Sequence, residues 1–127
     1  MELVAIVVVL SLLQYIYFGA LVGRARVKYK IDAPAVSGDP VFERYYRVQM
    51  NTLESLVIFL PSIFIFASYI SANIAAALGI VFIIGRQLYQ RAYVKDPKTR
   101  EVGFLLTILP SLILALGGLV GAVMQIS

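Results

Sequence analysis

The sequence predicts an all-α integral membrane protein, a bundle of four transmembrane helices forming one domain over residues 1–127. Three observations carry this. First, 61% of the residues are hydrophobic and only 14% charged, with a mean hydropathy of +0.89. A soluble domain carries about a quarter charged residues, so this chain lacks the polar surface to solvate a globule. Second, the apolar residues gather into four long runs without the period-two alternation of strands. Third, the eleven Lys and Arg fall in only two places along the chain.

The first run extends from Leu3 to Val22. Glu2 precedes it, no Lys or Arg does, and its positive charges come afterwards, so it does not have the form of a signal peptide. The second run extends from Leu53 to Ile70. The third extends from Ile74 to Ile84 and continues amphipathically to Tyr93, and the fourth from Val102 to Ile126. A span needs about 20 residues of helix, and a polar lip can extend a run that reads short. Arg24, Arg26, Lys28, Lys30, Arg44 and Arg47 lie between the first two runs. Arg86, Arg91, Lys95, Lys98 and Arg100 lie around the junction of the last two. The connection at Ser71–Asn73 carries no charge. With four spans both basic connections lie on one side, which the positive-inside rule makes cytoplasmic, with both termini on the opposite side.

The punctuation agrees. Pro34, Ser37, Gly38, Asp39 and Pro40 mark a loop. Asp96 is suited to cap a helix with Pro97 at its first position, which would put Arg100 in the first turn of the fourth helix. Pro61 and Pro110 fall inside spans and are expected to bend them. The sequence contains no Cys and no His. Disulfides, thiolate or imidazole metal sites and histidine acid–base catalysis are excluded, and no metal is expected. The net charge of +4 is read as a topology signal, and no nucleic-acid partner is expected.

Within the second run's polar lip, Arg44, Arg47, Asn51 and Glu54 follow a 3, 4, 3 spacing and so share one helical face. Arg86, Tyr89 and Tyr93 follow 3 and 4 and share another. At a rise of about 1.5 Å per residue, Glu54 lies about 24 Å from the Ile70 end of its span and Tyr89 about 22 Å from Ile74. Asn51 and Tyr93 match at about 28 Å, and Arg86 lies at about 18 Å. Ionisable groups at such depths face protein or water. Two polar stripes at matched depth describe a cavity. Mutual bridging of Arg47, Asn51 and Glu54, or a Glu54–Arg86 pair tying two helices, is equally consistent with the spacing. Arg100 would stand against the dipole of its own helix, which calls for an anion, either the adjacent Glu101 or a ligand.

The segments RVKYKIDAPAVSGDPVFERYYRVQMNTLES and GRQLYQRAYVKDPKTREVG resemble the MAPEG family, membrane-associated proteins in eicosanoid and glutathione metabolism, and most of all its microsomal glutathione S-transferase branch. The likeness runs from Arg26 to about Gly103. It rests on E-R-x-x-R-x-x-x-N-x-x-E and G-R-x-x-Y-x-x-x-Y together, which are more specific than either alone. The resemblance implies a four-helix bundle assembling as a homotrimer, with glutathione bound between subunits. By resemblance Arg47, Asn51, Glu54, Tyr89 and Tyr93 match the glutathione pocket of one subunit, and Arg26 and Gln49 match the neighbour's contribution. Arg100 matches the catalytic arginine that stabilises the thiolate. Glutathione would be a co-substrate, and the other partners an apolar or lipid electrophile and the bilayer, a chemistry of detoxification.

The residue chemistry suits that ligand. Arginines pair with carboxylates, Glu54 with an ammonium, and Asn51 and the tyrosines with peptide groups. A thiol becomes a nucleophile on ionising, which a nearby arginine at a helix N-terminus favours. Gln49 lies two residues from Arg47 and faces away from it, so both line one kind of pocket only if neighbouring subunits share it. Three positions depart from the family pattern: Ser55 stands where eicosanoid-forming members carry Tyr, Arg91 replaces an uncharged residue, and Val27, flanked by Arg26 and Lys28, stands where leukotriene-forming members carry a second arginine. The expected function is glutathione conjugation to apolar electrophiles or reduction of lipid hydroperoxides. The alternatives are a non-catalytic lipid-binding or scaffold member of the family and a small four-span multidrug exporter. Such exporters use a carboxylate in the first span, and this first span has none in its interior.

Overall fold

The computed structural model describes residues 1–126. Four helices make up the fold: α1 over Glu2–Tyr29, α2 over Pro40–Tyr69, α3 over Ala72–Lys95 and α4 over Glu101–Met124. Each is long and apolar enough to cross a bilayer, and the chain is a multi-pass integral membrane protein.

The helices extend beyond the apolar runs that announce them. α1 carries Arg24, Arg26 and Lys28 on its last turns and stops at Lys30, whose N–H donates to the Arg26 carbonyl and whose left-handed backbone (φ 58, ψ 47) lets the Ile31 N–H reach the same carbonyl. α2 begins well before Leu53. Asp39 accepts hydrogen bonds from the backbone N–H groups of Val41 and Phe42, and Pro40 occupies the first turn. The lip that carries Arg44, Arg47 and Asn51 is therefore helix. α2 and α3 are joined by a tight turn in which Ser71 accepts from the Ile74 N–H.

One expectation needs refining. Asp96 does cap a turn with Pro97 at its start, but the turn is a 3-10 helix over Pro97–Thr99. α4 proper starts at Glu101, so Arg100 occupies its N-cap position rather than its first turn. α2 runs through Pro61 and α4 through Pro110 without interruption.

α2 and α3 form the central pair, with α1 packed on one side and α4 on the other. Near the α2–α3 turn, Phe59 stacks on Phe82 with centroids 3.9 Å apart. Val4, Val7, Ile63, Phe66, Ala75 and Leu114 close around them. Gly117, Gly118 and Gly121 lie against Ile65, Phe66, Tyr69 and Ile70 of α2. The small residues of α4 thus serve a contact within the chain, where packing shape rather than a hydrophobic drive joins helices in lipid.

Candidate functional site

At the basic end the core becomes polar. Arg47 and Asn51 from α2, Tyr89 and Tyr93 from α3, and Arg100 and Phe104 from α4 line one open recess of about 280 Å³. Helical spacing explains the set. Arg47 and Asn51 are one turn apart, as are Tyr89 and Tyr93, and Arg100 and Phe104. The tyrosine rings stack at 5.4 Å and 17° to form one wall. The Asn51 side-chain oxygen Oδ1 is buried and has no hydrogen-bond partner. A buried unpaired acceptor costs about 1–3 kcal/mol.

Arg47 Nη2 donates to Glu54 Oε1 at 3.2 Å, and Nη1 to Oε2 at 3.4 Å. The two side chains are half exposed and span two helical turns above Asn51. Glu54 also borders an adjoining notch of about 140 Å³ with Ser55, Ile58, Thr107, Ile108 and Ser111. Of the two bridging arrangements compatible with the spacing, the Arg47–Glu54 pair is present and the Glu54–Arg86 pair is not.

Arg86 is the main departure from the sequence reading. Its spacing puts it on the Tyr89–Tyr93 stripe, yet it does not line the recess. It is fully buried, donating to Thr52 Oγ1 at 2.8 Å and Thr107 Oγ1 at 3.3 Å. Two close approaches of α3 and α4 account for this. A Cβ on Gly85 would lie 2.7 Å from the Leu106 backbone, and one on Gly103 would lie 2.4 Å from the Tyr89 nitrogen. Glycine at both places brings α4 over the Arg86 side chain.

Arg100 is exposed, and its guanidinium donates to the Pro97 carbonyl at 3.1 Å. Among the described residues the ion pairs are Met1 with Glu2 and Arg47 with Glu54. Adjacent Glu101 is therefore not the ion-pair partner of Arg100. The Arg100 side chain and the α4 N-terminus lie together at this corner of the recess.

Arg26 and Gln49 lie apart from the recess. Arg26 donates to the Ala35 carbonyl at 2.7 Å and covers the Phe42 ring at 4.9 Å. Gln49 points to α1, where its amide would meet a Cβ on Gly19 at 2.9 Å. Arg44 caps the end of α3 by donating to the Val94 and Lys95 carbonyls at 3.1 and 3.4 Å. Phe104 is the lining residue that the sequence reading missed. Its signal is its position one turn beyond Arg100.

Four long apolar helices with a polar, arginine-bearing recess at one end define a multi-pass membrane protein. The sequence matches the MAPEG family over residues 4–120, and the chain belongs to that family. It is similar to human microsomal glutathione S-transferase 2, at 43% identity over 94% of this chain and 80% of that protein. An uncharacterised protein of Synechocystis sp. is 43% identical over 96% of this chain and 89% of its own length. Leukotriene C4 synthase of Cavia porcellus is 34% identical over 77% of this chain and 65% of that protein.

Proposed function

We propose that the protein is a membrane glutathione transferase that holds glutathione in the Arg47–Asn51–Tyr89–Tyr93–Arg100 recess and stabilises its thiolate. The observation that carries this reading is the convergence of two arginines, two tyrosines and Asn51 on one open recess. Glutathione presents two carboxylates, an ammonium, two peptide units and a thiol. A ligand with both charges can replace each member of the Arg47–Glu54 pair, its carboxylate taking Arg47 and its ammonium taking Glu54. The Asn51 oxygen accepts a peptide N–H. The thiol loses its proton to water, and the thiolate rests near Arg100 and the α4 N-terminus, where positive charge favours the ionised form.

The thiolate sulfur attacks an electrophilic carbon of an apolar substrate arriving through the bilayer and forms the carbon–sulfur bond of a thioether, as a halide leaves, an epoxide C–O bond opens to an alcohol, or a conjugated C=C bond takes up a proton from water. With a lipid hydroperoxide it attacks the terminal oxygen, breaks the O–O bond and releases an alcohol. A second glutathione then yields the disulfide and water. In both cases the arginine's task is to keep the sulfur anionic.

The site is completed in a homotrimer. Arg26 and Gln49, which face away from their own subunit's recess, contribute to the neighbour's. The basic ends of the helices face the cytoplasm, and the sole acid of α1, Glu2, sits at its far end, which supports a transferase over a proton-coupled exporter. The test is the ultraviolet thiolate absorbance on adding glutathione to the purified protein. Arg100→Ala is expected to lose the band and lower turnover at least about a hundredfold while keeping most of the affinity. An unchanged band and rate would remove Arg100 from the chemistry.

A further inference from the structure

The buried arginine is the feature that glutathione binding alone does not use. Arg86 has 0% exposure and is the largest fully buried side chain among the described residues. Charges at membrane depth are costly and ordinarily pair with an opposite charge or with backbone carbonyls, or face water. Here the acid within reach of the recess, Glu54, is paired with Arg47. Arg86 is held by two neutral hydroxyls, and its Nε has no partner.

Those hydroxyls are fixed as acceptors. Thr52 donates its own proton to the Val48 carbonyl at 2.7 Å, and Thr107 donates to the Gly103 carbonyl at 2.8 Å. Each therefore turns only lone pairs toward the guanidinium. The third contact is the ring of Tyr89, whose centroid lies 4.4 Å from the Arg86 guanidinium carbon. Tyr89 in turn stacks on Tyr93. On its backbone side, Tyr89 is pressed by α4 at Gly103. One guanidinium thus ties α2, α3 and α4 together directly behind the tyrosine wall. A purely structural tie there would need no charge, because apolar side chains of similar volume pack without the desolvation cost.

We infer that Arg86 is a positioning residue that acts through Tyr89, locking the ring by cation–π contact so that the tyrosine wall is preformed for the ligand. The inference rests on the glutathione reading of the recess. Preformation spares the ordering cost that a mobile ring would add to binding.

The test is a double-mutant cycle on glutathione affinity, measured by titration calorimetry on protein in detergent or nanodiscs. Arg86→Met, similar in bulk and uncharged, is expected to raise the Kd about five- to tenfold in the native background. In a Tyr89→Leu background the same change should raise it less than about twofold, because the ring it acts through is gone. An equal factor in both backgrounds, or no change in the native one, overturns the inference. Thr107→Val guards against misfolding of Arg86→Met, since it cuts one tether and keeps the charge. It should raise the Kd about threefold in the native background and not beside Tyr89→Leu, and a background-independent effect again overturns the inference. Absence of saturable binding in the unmutated protein would remove the glutathione reading and this inference together. Saturable binding with an additive cycle removes only the inference.

Discussion

Toward the Ser71 turn, α2 and α3 meet as hydrocarbon: Phe59 on Phe82, with Ile63, Phe66 and Ala75 around them. Toward the Asp96 end the same helices meet through Arg86 and Thr52, and Tyr89 and Asn51 edge an open recess. The first region is closed. The second is tied at its base by Arg86 but leaves polar side chains lining an open recess. Lipid tails are as apolar as leucine, so the apolar half gains from close fit rather than from escape from solvent. In the polar half, buried groups need partners, and Arg86 finds them in Thr52 and Thr107 behind the recess. With the proposed function, the division assigns stability to one end and binding to the other.

The sharpest way to break that division is at the point where both depend on one contact. Gly103→Val would drive a side chain into the Tyr89 backbone, since even a Cβ would lie 2.4 Å from its nitrogen. Overpacking against backbone costs about 3 kcal/mol or more, so detergent-stable protein should not be recovered. Normal yield and thermal stability would show that α3 and α4 can separate freely there.

Phe59→Ala tests the apolar half alone. It leaves a void costing about 24 cal/mol per Å³, or about 2 kcal/mol for most of a phenyl ring. Thermal stability should fall while glutathione affinity in the folded protein stays within about twofold. A large loss of affinity would mean that the halves are coupled. Arg44→Ala is milder. It removes the charged donor from the Val94 and Lys95 carbonyls, a partly exposed contact of about 1 kcal/mol. Amide exchange should speed up in the last turn of α3, and global stability should barely move. Unchanged exchange there would show that the cap is not what holds that end.

How much of this was legible in the sequence depended on whether a feature left a periodic mark. The four spans did, through length and apolarity. So did Arg47, Asn51, Tyr89 and Tyr93, because the 3 and 4 spacings of two helices matched in depth and the structure brings those four into one recess. Arg86 shared the spacing of the tyrosines, and nothing in that spacing distinguishes a residue lining a cavity from one buried behind it. The discriminating features were neutral: the close approaches at Gly85 and Gly103 and the hydroxyls of Thr52 and Thr107. Such contacts depend on which helices are neighbours, which no single-helix pattern states. The helix start at Glu101 was hidden because a proline opens a 3-10 turn as readily as an α-helix. Phe104 was hidden inside an apolar run where every residue looks lipid-facing.

The central claim is that the polar recess binds glutathione, and the most direct measurement is a calorimetric titration of the purified protein with glutathione, with Arg47→Ala, Glu54→Gln and Phe59→Ala run beside it. The account predicts saturable binding by the native protein. It predicts a Kd raised about tenfold or more by each of the two polar substitutions, and an affinity preserved in folded Phe59→Ala. Absence of saturable binding in the native protein, or one affinity shared by all four proteins, would contradict it.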